Sequence, residues 1–578
     1  MSAFCDISIT TNGRIPSIRN GNKDWESVVA HDRLAVHISK PNKQERTFYQ
    51  QYVYEGNTLF VIGQFYESVN LHQLLLDCLS HVQRDDKFND PAGHYILFVH
   101  DRKTHVHVFT NRLGSCHAYW KKEANNNTIA TSYLNLLGVT NNKALDWEGI
   151  SGFFAMGYFP DDRTYLDCIK IFEPASCYTF DSDLNLLHQK RYWHWHYRES
   201  DYSASDNIDR ADSVLSRSLK YSLADKKVSL PLSGGLDSRT LAGIISKAEN
   251  KNYNGLWSYS YGYNKQSIEI EIAKRIAKAK DIPFDGYVVP NYLFDKMDTI
   301  AESIDLFAYV DGARQASILE ELDGHCDVVV GGHWGDVWFD NIAVATDEDV
   351  SNYFQTKIIK RGSNWLLNEI CRQHVDDPRE VVSNYFDSHL KRYDNIADKS
   401  FKLKTYKTDQ WSFRWAAVGV RMYQAAAMPV LPFYDNRIVD LFSSIPGAQL
   451  QGRYLQIELL KKNYPELAAI KWQDYESNLY CYKYLNNRNI IYRAYKKAKR
   501  MLSGQQTIIR NWELFYLNPE GRRNLEDILI GQGILDAVIS KEKVQALIDD
   551  FYNNPTAANG YTISMLHTFA QFLKRLNA

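Results

Sequence analysis

Val228-Ser-Leu-Pro-Leu-Ser233-Gly-Gly-Leu-Asp237-Ser238-Arg239 runs straight into Thr240-Leu-Ala-Gly-Ile-Ile-Ser-Lys247. A short apolar run ends in Ser-Gly-Gly, and Leu241, Ile244 and Ile245 then recur at helical spacing, so the stretch predicts strand, tight loop, helix. That geometry builds an anion site. Gly234 and Gly235 let the backbone approach a phosphate group, and the first N–H groups of the helix are unpaired at the positive end of its dipole. Ser233 and Ser238 add hydroxyl donors. Asp237 would repel a bare phosphate, so an acid here points to a Mg²⁺ lying between it and a pyrophosphate. The absence of a Gly-Lys-Ser/Thr ending argues against a Walker-type loop. A Gly-Gly turn alone is often a plain strand-to-helix connection; Ser-Gly-Gly-x-Asp-Ser after a strand is more specific.

Working outward, 578 residues are enough for two or more domains, each with its own core. A net charge of −2 with 44% hydrophobic and 24% charged residues is an ordinary globular composition, which predicts no nucleic-acid or membrane partner. The eight cysteines are scattered without CxxC spacing, so reduced thiols in the cytoplasm are expected, with neither a disulfide framework nor a zinc site. The opening residues lack a basic region followed by an apolar core, and no run approaches eighteen apolar residues; secretion and membrane spanning are not expected.

Before the loop, residues 1–195 hold short strand-like segments: Leu59 to Ile62, His94 to His100, His105 to Phe109 and Ala175 to Phe180, with one amphipathic helix near Leu71 to Val82. From 205 to 578, helices alternate with short apolar strands at Val228 to Leu232, Gly255 to Tyr259, Phe284 to Val289 and Asp327 to Val330. A parallel sheet wrapped by helices is expected there, with ligands at the carboxyl ends of its strands.

Several motifs share one resemblance. Phe98-Val-His-Asp101 followed by Phe109-Thr-Asn-Arg112-Leu-Gly114, the segment Gly157 to Thr164, the Ser-Gly-Gly loop, Val330-Gly331-Gly332-His333-Trp-Gly335-Asp336, and Val430-Leu-Pro432-Phe-Tyr-Asp435-Asn-Arg437 resemble the asparagine synthetase superfamily. That group includes β-lactam synthetases, lasso-peptide cyclases and amide-forming enzymes of surface-polysaccharide clusters. The resemblance implies an α/β protein: an N-terminal Ntn-type αββα sandwich, the glutaminase-like domain, over 1–195, and an ATP-pyrophosphatase domain of the adenine nucleotide α-hydrolase type over 205–578. It implies ATP and Mg²⁺ as cofactors, with Leu232, Ser233, Gly234, Gly235, Asp237 and Ser238 at the phosphates and ribose. Tyr259, Ser260, Gly331 and Gly332 would lie near the nucleoside, Arg314 near the phosphates, and Asp237 and Asp336 on the metal.

His333 stands where asparagine synthetases carry glutamate and β-lactam synthetases tyrosine; lasso cyclases tend to carry histidine. With an ordinary pKa near 6.5 it would suit removal of a proton from an amine nucleophile, although a lone histidine is more often structural. The family's late lysine, which stabilises the pyrophosphate-releasing transition state, aligns with Gln473, so Lys471 is the candidate replacement.

The first domain departs from its pattern. The family's nucleophile is a cysteine whose own α-amine is the base; here Cys5 follows other residues. Arg33 matches the carboxylate-gripping arginine, but the Asn-Gly-Glu stretch reads Ile62-Gly63-Gln64. Ile62 cannot hydrogen-bond a substrate, and neutral Gln64 cannot pair with an ammonium. Loss of glutamine hydrolysis is the expectation.

Two stretches read blandly. Trp193-His194-Trp-His196 on a strand reads as packing in preference to a metal pair. Lys483 to Arg500, rich in Lys, Arg and Tyr, reads as a solvated helix face, with an anionic docking surface as the alternative.

The expected activity is ATP-dependent amide formation. It would adenylate a small-molecule, glycan or peptide carboxylate, release pyrophosphate, and pass the acyl group to an amine; a homodimer is compatible. Glutamine-fed asparagine or sugar-acid amidation, peptide cyclisation, and a catalytically inactive scaffold remain alternatives.

Overall fold

The computed structural model describes residues 5–11, 24–30, 34–40, 48–123, 127–264, 267–484 and 510–577. Arg33 and residues 485–500 of the basic stretch lie outside them.

Among the described residues, twelve strands precede residue 195. They are β1 Ile7–Thr10, β2 Asp24–Ala30, β3 Ala35–Lys40, β4 Tyr49–Tyr54, β5 Asn57–Phe65, β6 Gly93–His100, β7 Val106–Thr110, β8 Tyr119–Lys121, β9 Thr128–Ala130, β10 Ile169–Ile171, β11 Ser176–Phe180 and β12 Leu186–Arg191. They form two antiparallel six-stranded sheets, ordered β10-β8-β9-β1-β3-β2 and β12-β11-β7-β6-β5-β4. Period-2 alternation decides which side chains meet. On the second sheet Phe60, Ile62, Ile96, Phe98 and Val108 join the main core with Ile7, Ile9, Val36 and Ile38 of the first. The intervening Leu59, Val61, Leu97 and Val99 face the opposite way and pack with Leu74, Leu75 and Cys78. Those last three belong to helix α1, Leu71–Arg84, whose N-cap Asn70 accepts from Gln73 N. Two shorter helices follow, α2 Tyr133–Leu137 and α3 Trp147–Met156.

Helix α4, Ala204–Ser222, opens with a Ser203/Asp206 capping box. It leads into five further strands: β13 Lys227–Pro231, β14 Gly255–Gly262, β15 Phe284–Val288, β16 Val328–Val330 and β17 Met428–Val430. Helix α5, Asp237–Ile245, follows β13, and α6, Ile268–Ala279, follows β14. All four pairings in this sheet are parallel, in the order β15-β14-β13-β16-β17. The order reverses between β13 and β16, which is where an open parallel sheet leaves a crevice at its carboxyl edge. Strand β17 was not expected as a strand; three residues ending in Val430-Leu-Pro carry too little periodicity.

The antiparallel and parallel parts are bolted together by buried charge. Arg421 pairs with Asp305 at 2.6 Å and meets the Tyr119 hydroxyl at 3.1 Å. Arg112 forks onto Asp90 and reaches Asp440, and Arg191 holds Asp409 at 3.0 Å. The last helix, Ala557–Asn577, returns to the antiparallel part, where Phe572 stacks on Tyr165 at 3.9 Å. Among the described residues, no helix is long and apolar enough to cross a membrane.

Candidate active site

The Ser-Gly-Gly loop leaves β13 and the Gly331-Gly332-His333 turn leaves β16, so the two flank the reversal point of the sheet. Within the loop, Ser233 N donates to Ser238 Oγ (3.1 Å), the two hydroxyls lie 3.1 Å apart, and Gly235 N donates to Ser233 Oγ (3.2 Å). The loop is thus shaped by its own hydroxyls, and α5 begins without a side-chain cap. Its first N–H groups therefore face the crevice end of the helix. Glycine is required in the opposing turn because the two segments touch. A Cβ on Gly332 would come 3.3 Å from Ser238 N, and one on Gly335 would come 2.6 Å from Asp237 Oδ1.

Asp237 is the crowded member. Its Oδ1 receives the Arg453 guanidinium and, at 3.0 Å, Gln456 Nε2. Burial raises its pKa; Arg453 opposes that shift and nearby Asp336 adds to it. Asp336 is exposed, in the first turn of the helix Gly335–Phe339. A divalent cation suits this donor set. Two carboxylates at one crevice repel each other, and Arg453 already supplies positive charge on Asp237, which a metal would exchange or share.

His333 differs from the sequence expectation. Burial lowers its pKa to about 4, with Asp336 pulling weakly the other way, so at neutral pH it is an uncharged imidazole. Its Nδ1 is buried without a hydrogen-bond partner. In this state the ring is a weak base that can accept or donate one hydrogen bond.

At the end of β14, the Tyr259 ring is fully buried, its hydroxyl lies 3.5 Å from that of Tyr423, and its carbonyl accepts from Leu232 N at 2.7 Å. Ser260 Oγ is buried without a partner. Arg314 lies over the Tyr261 ring at 5.0 Å. The fold therefore gathers Leu232 to Ser238, Tyr259, Ser260, Gly331, Gly332, Arg314 and Asp336 at one edge of one sheet.

The late segment comes to the same place. Arg239, fully buried, donates to the carbonyls of Leu467 (3.2 Å), Ile470 (2.9 Å) and Lys471 (2.7 Å). Gln473 N donates to Gly234 O at 3.2 Å, and a Cβ on Gly234 would sit 2.3 Å from Gln473 Oε1. Gln473 thus lies directly on the loop. Lys471 is half-buried, held through its backbone. Sequence reasoning missed Arg239, Arg453 and Gln456. Arg239 carried a faint signal, a charge on a helix that is otherwise apolar; Arg453 and Gln456 stand more than two hundred residues away and carried none.

The remaining motifs are elsewhere. Cys5 is buried before β1 with its thiol 3.0 Å from Ser39 O. Ile62 lies in the core between the two antiparallel sheets. The Gln64 amide donates to Pro429 O at 3.4 Å, in β17. Strand β12 ends at Arg191, so His194 and His196 stand on irregular, exposed backbone instead of the expected strand.

A crevice at the reversal point of a parallel sheet, with an uncapped hydroxyl-rich loop and two carboxylates, defines a nucleotide-type α/β site. Residues 210–453, which carry all five strands of that sheet, match the family model described as asparagine synthase, which supports the resemblance to the asparagine synthetase superfamily over that part of the chain. A search of the curated proteins finds no match. Among solved structures, the chain is similar to an allosteric regulatory enzyme of purine biosynthesis (12% identity, covering 49% of this chain and 58% of that one, TM-score 0.20). It is also similar to the glutamine phosphoribosylpyrophosphate amidotransferase from B. subtilis complexed with ADP and GMP (11% identity, 66% and 73%, TM-score 0.19). The chain spans 58% of the length of the first of these, and likenesses this loose carry no argument.

Proposed function

We propose that the chain is an ATP-dependent amide-forming ligase that activates a carboxylate as its adenylate and transfers it to an amine. The observation that carries the reading is that Asp237, the first residue of the uncapped helix α5, feels the charge of Asp336 in the opposing turn, whose Gly335 packs against its carboxylate. The loop N–H groups and the Ser233 and Ser238 hydroxyls would hold the phosphates. Asp237 and Asp336 would hold Mg²⁺, which when bound supplies charge neutralisation for the phosphate oxygens. The substrate carboxylate oxygen attacks the α-phosphorus, the bond to the β-phosphate bridging oxygen breaks, and pyrophosphate leaves. The amine then attacks the acyl carbon, and AMP departs with the bonding electrons. Neutral His333 beside the loop would orient the amine and accept a hydrogen bond from it; a group of pKa about 4 does not hold the proton afterwards, which passes to solvent or to AMP. Lys471 is our candidate for charge stabilisation as pyrophosphate forms.

The antiparallel part we read as an Ntn-type αββα sandwich that no longer hydrolyses glutamine. Support comes from the burial of Cys5, the placement of Ile62 in the core, and the use of Gln64 to bridge to β17. One observation favours a non-catalytic reading instead: Gln473 on Gly234, where a cation is expected. ATP–pyrophosphate exchange driven by a panel of carboxylates separates the two. Exchange that needs an added acid and disappears in Asp237→Asn supports the ligase; no exchange with any acid, while ATP still binds, overturns it.

A further inference from the structure

The wide helical turn Lys407–Ala416, a π-helix, carries a group of donors that the reaction above does not use. The ammonium of Lys407 lies 5.2 Å from the centre of the Trp411 ring, and that of Lys360, from a different segment, lies 4.6 Å from the same ring. Lys407 also approaches Tyr353 at 5.9 Å. Neither ammonium has a carboxylate or carbonyl partner among the described residues, and the buried Trp411 Nε1 has no acceptor either. A Cβ on Gly157, at φ +87°, would stand at ordinary contact distance from the Lys360 side chain, Trp415 and Tyr561. Lys360 and Lys407 are half-buried, so each side chain keeps some exposed surface.

Ammonium and indole groups donate hydrogen bonds and accept none. Two like charges brought to one ring repel; burial first, and Lys407 after it, lower the Lys360 pKa to about 8. Two ammonium groups held at one ring without an acceptor are complementary to an oxyanion. Its position gives the oxyanion's source. Thr408, next to Lys407, accepts from Trp334 Nε1 at 3.1 Å, and Trp334 follows His333. One turn earlier, Lys404 Nζ donates to Trp338 O (3.3 Å) and Asp340 O (2.6 Å) at the end of the helix that begins with Gly335 and Asp336. The lysine pair is therefore tied, one residue away, to the turn that lines the crevice.

We propose that Lys360 and Lys407, held against the Trp411 ring, form an oxyanion subsite for a second acidic group, carboxylate or phosphate, on the acyl substrate. This rests on the ligase reading for the identity of its occupant, but not for its existence. A plain monocarboxylic acid would leave the subsite empty, so the preferred substrate is a polyanion such as a dicarboxylic or phosphorylated acid.

Two experiments test this. Lysines are labelled with pyridoxal 5′-phosphate and borohydride and mapped by mass spectrometry. Lys360 is expected to label at least tenfold faster than exposed Lys274, with citrate protecting it and Lys407→Met removing the advantage; equal labelling, or no protection, overturns the subsite. In carboxylate-driven exchange, Lys360→Met and Lys407→Met are expected to raise KM for the active polyanionic acid at least tenfold with kcat within threefold. Activity confined to monoacids, or an equal loss with mono- and polyacids, overturns the assignment of the occupant. Absence of exchange with every acid overturns the ligase reading, while the labelling result still decides the subsite.

Discussion

Around Cys5 and around Asp237 the same chain treats its polar groups in opposite ways. On the antiparallel side, the Cys5 thiol is committed to Ser39 O, Asp6 N donates to Ser39 Oγ, Thr131 Oγ1 donates to Asp6 Oδ1, and Gln64 spends its amide on Pro429 O. On the parallel side, Ser260 Oγ, His333 Nδ1, Arg453 Nε and Gln456 Oε1 are buried without partners about one crevice. Orphaned atoms occur in both parts; in the antiparallel part those of Ser8 and Thr128 sit within strands, and His117 Nδ1 and Asp146 Oδ2 outside them. Buried polar groups that converge without partners mark a place awaiting a ligand, whereas mutual satisfaction marks structure.

That contrast breaks most visibly at Asp237. Asp237→Asn is expected to reduce ATP–pyrophosphate exchange by about a hundred- to a thousandfold while leaving the folded protein intact by circular dichroism; retained exchange would move the metal site elsewhere. The seam between the two parts should fail next. Arg421→Gln leaves Asp305, fully buried, without its guanidinium partner and breaks the contact to the Tyr119 hydroxyl across the seam, and urea unfolding should show a loss of about 3–5 kcal/mol; a loss below 1 kcal/mol would mean that this pair does not support the seam.

Asp311 sharpens the same point with pH. Burial raises its carboxyl to about 7, a hydrogen bond from Ser564 opposes the shift, and Oδ1 has no partner. The folded state then keeps a proton that the unfolded chain releases near 3.8. Stability falls as pH rises from about 4 to about 7 and levels off above. Asp311→Asn should flatten that slope and gain up to about 4 kcal/mol at pH 8; an unchanged slope would show that another group carries it. His333→Asn should lower amide formation about tenfold in single-turnover assays. The wild-type profile should show no titration between pH 6 and 8 from His333, since its pKa is about 4; a bend near 6.5 that disappears in the variant would restore the base role. The smallest expected effect is at Cys5. Cys5→Ala should leave glutamate release from glutamine at the background of the parent protein, and a Cys5-dependent signal would overturn the loss of glutaminase activity.

Strands β6 and β7 were legible as short runs of β-branched and aromatic residues, buried on both faces, and helix α1 by its one apolar face. The three-residue strands β8, β9 and β10 were not, because three residues leave no local pattern and β10 finds its partner β8 only across 48 positions, Ile169 opposite Lys121. His333 was legible as a residue of the site but not as a base, since its pKa depends on burial by elements far along the chain.

The sequence by itself determined the Ser-Gly-Gly loop and the Gly-Gly-His turn, because backbone approach to an anion demands glycine and hydroxyl residues at fixed local spacing. Tertiary structure alone decided that Arg453 and Gln456 hold Asp237, that Arg239 draws the 467–473 segment onto the loop, and that Lys360 meets Lys407 across Trp411. Those contacts join residues from 47 to more than two hundred positions apart, and no local propensity encodes a pairing that exists only once the sheet and its helices have closed around it.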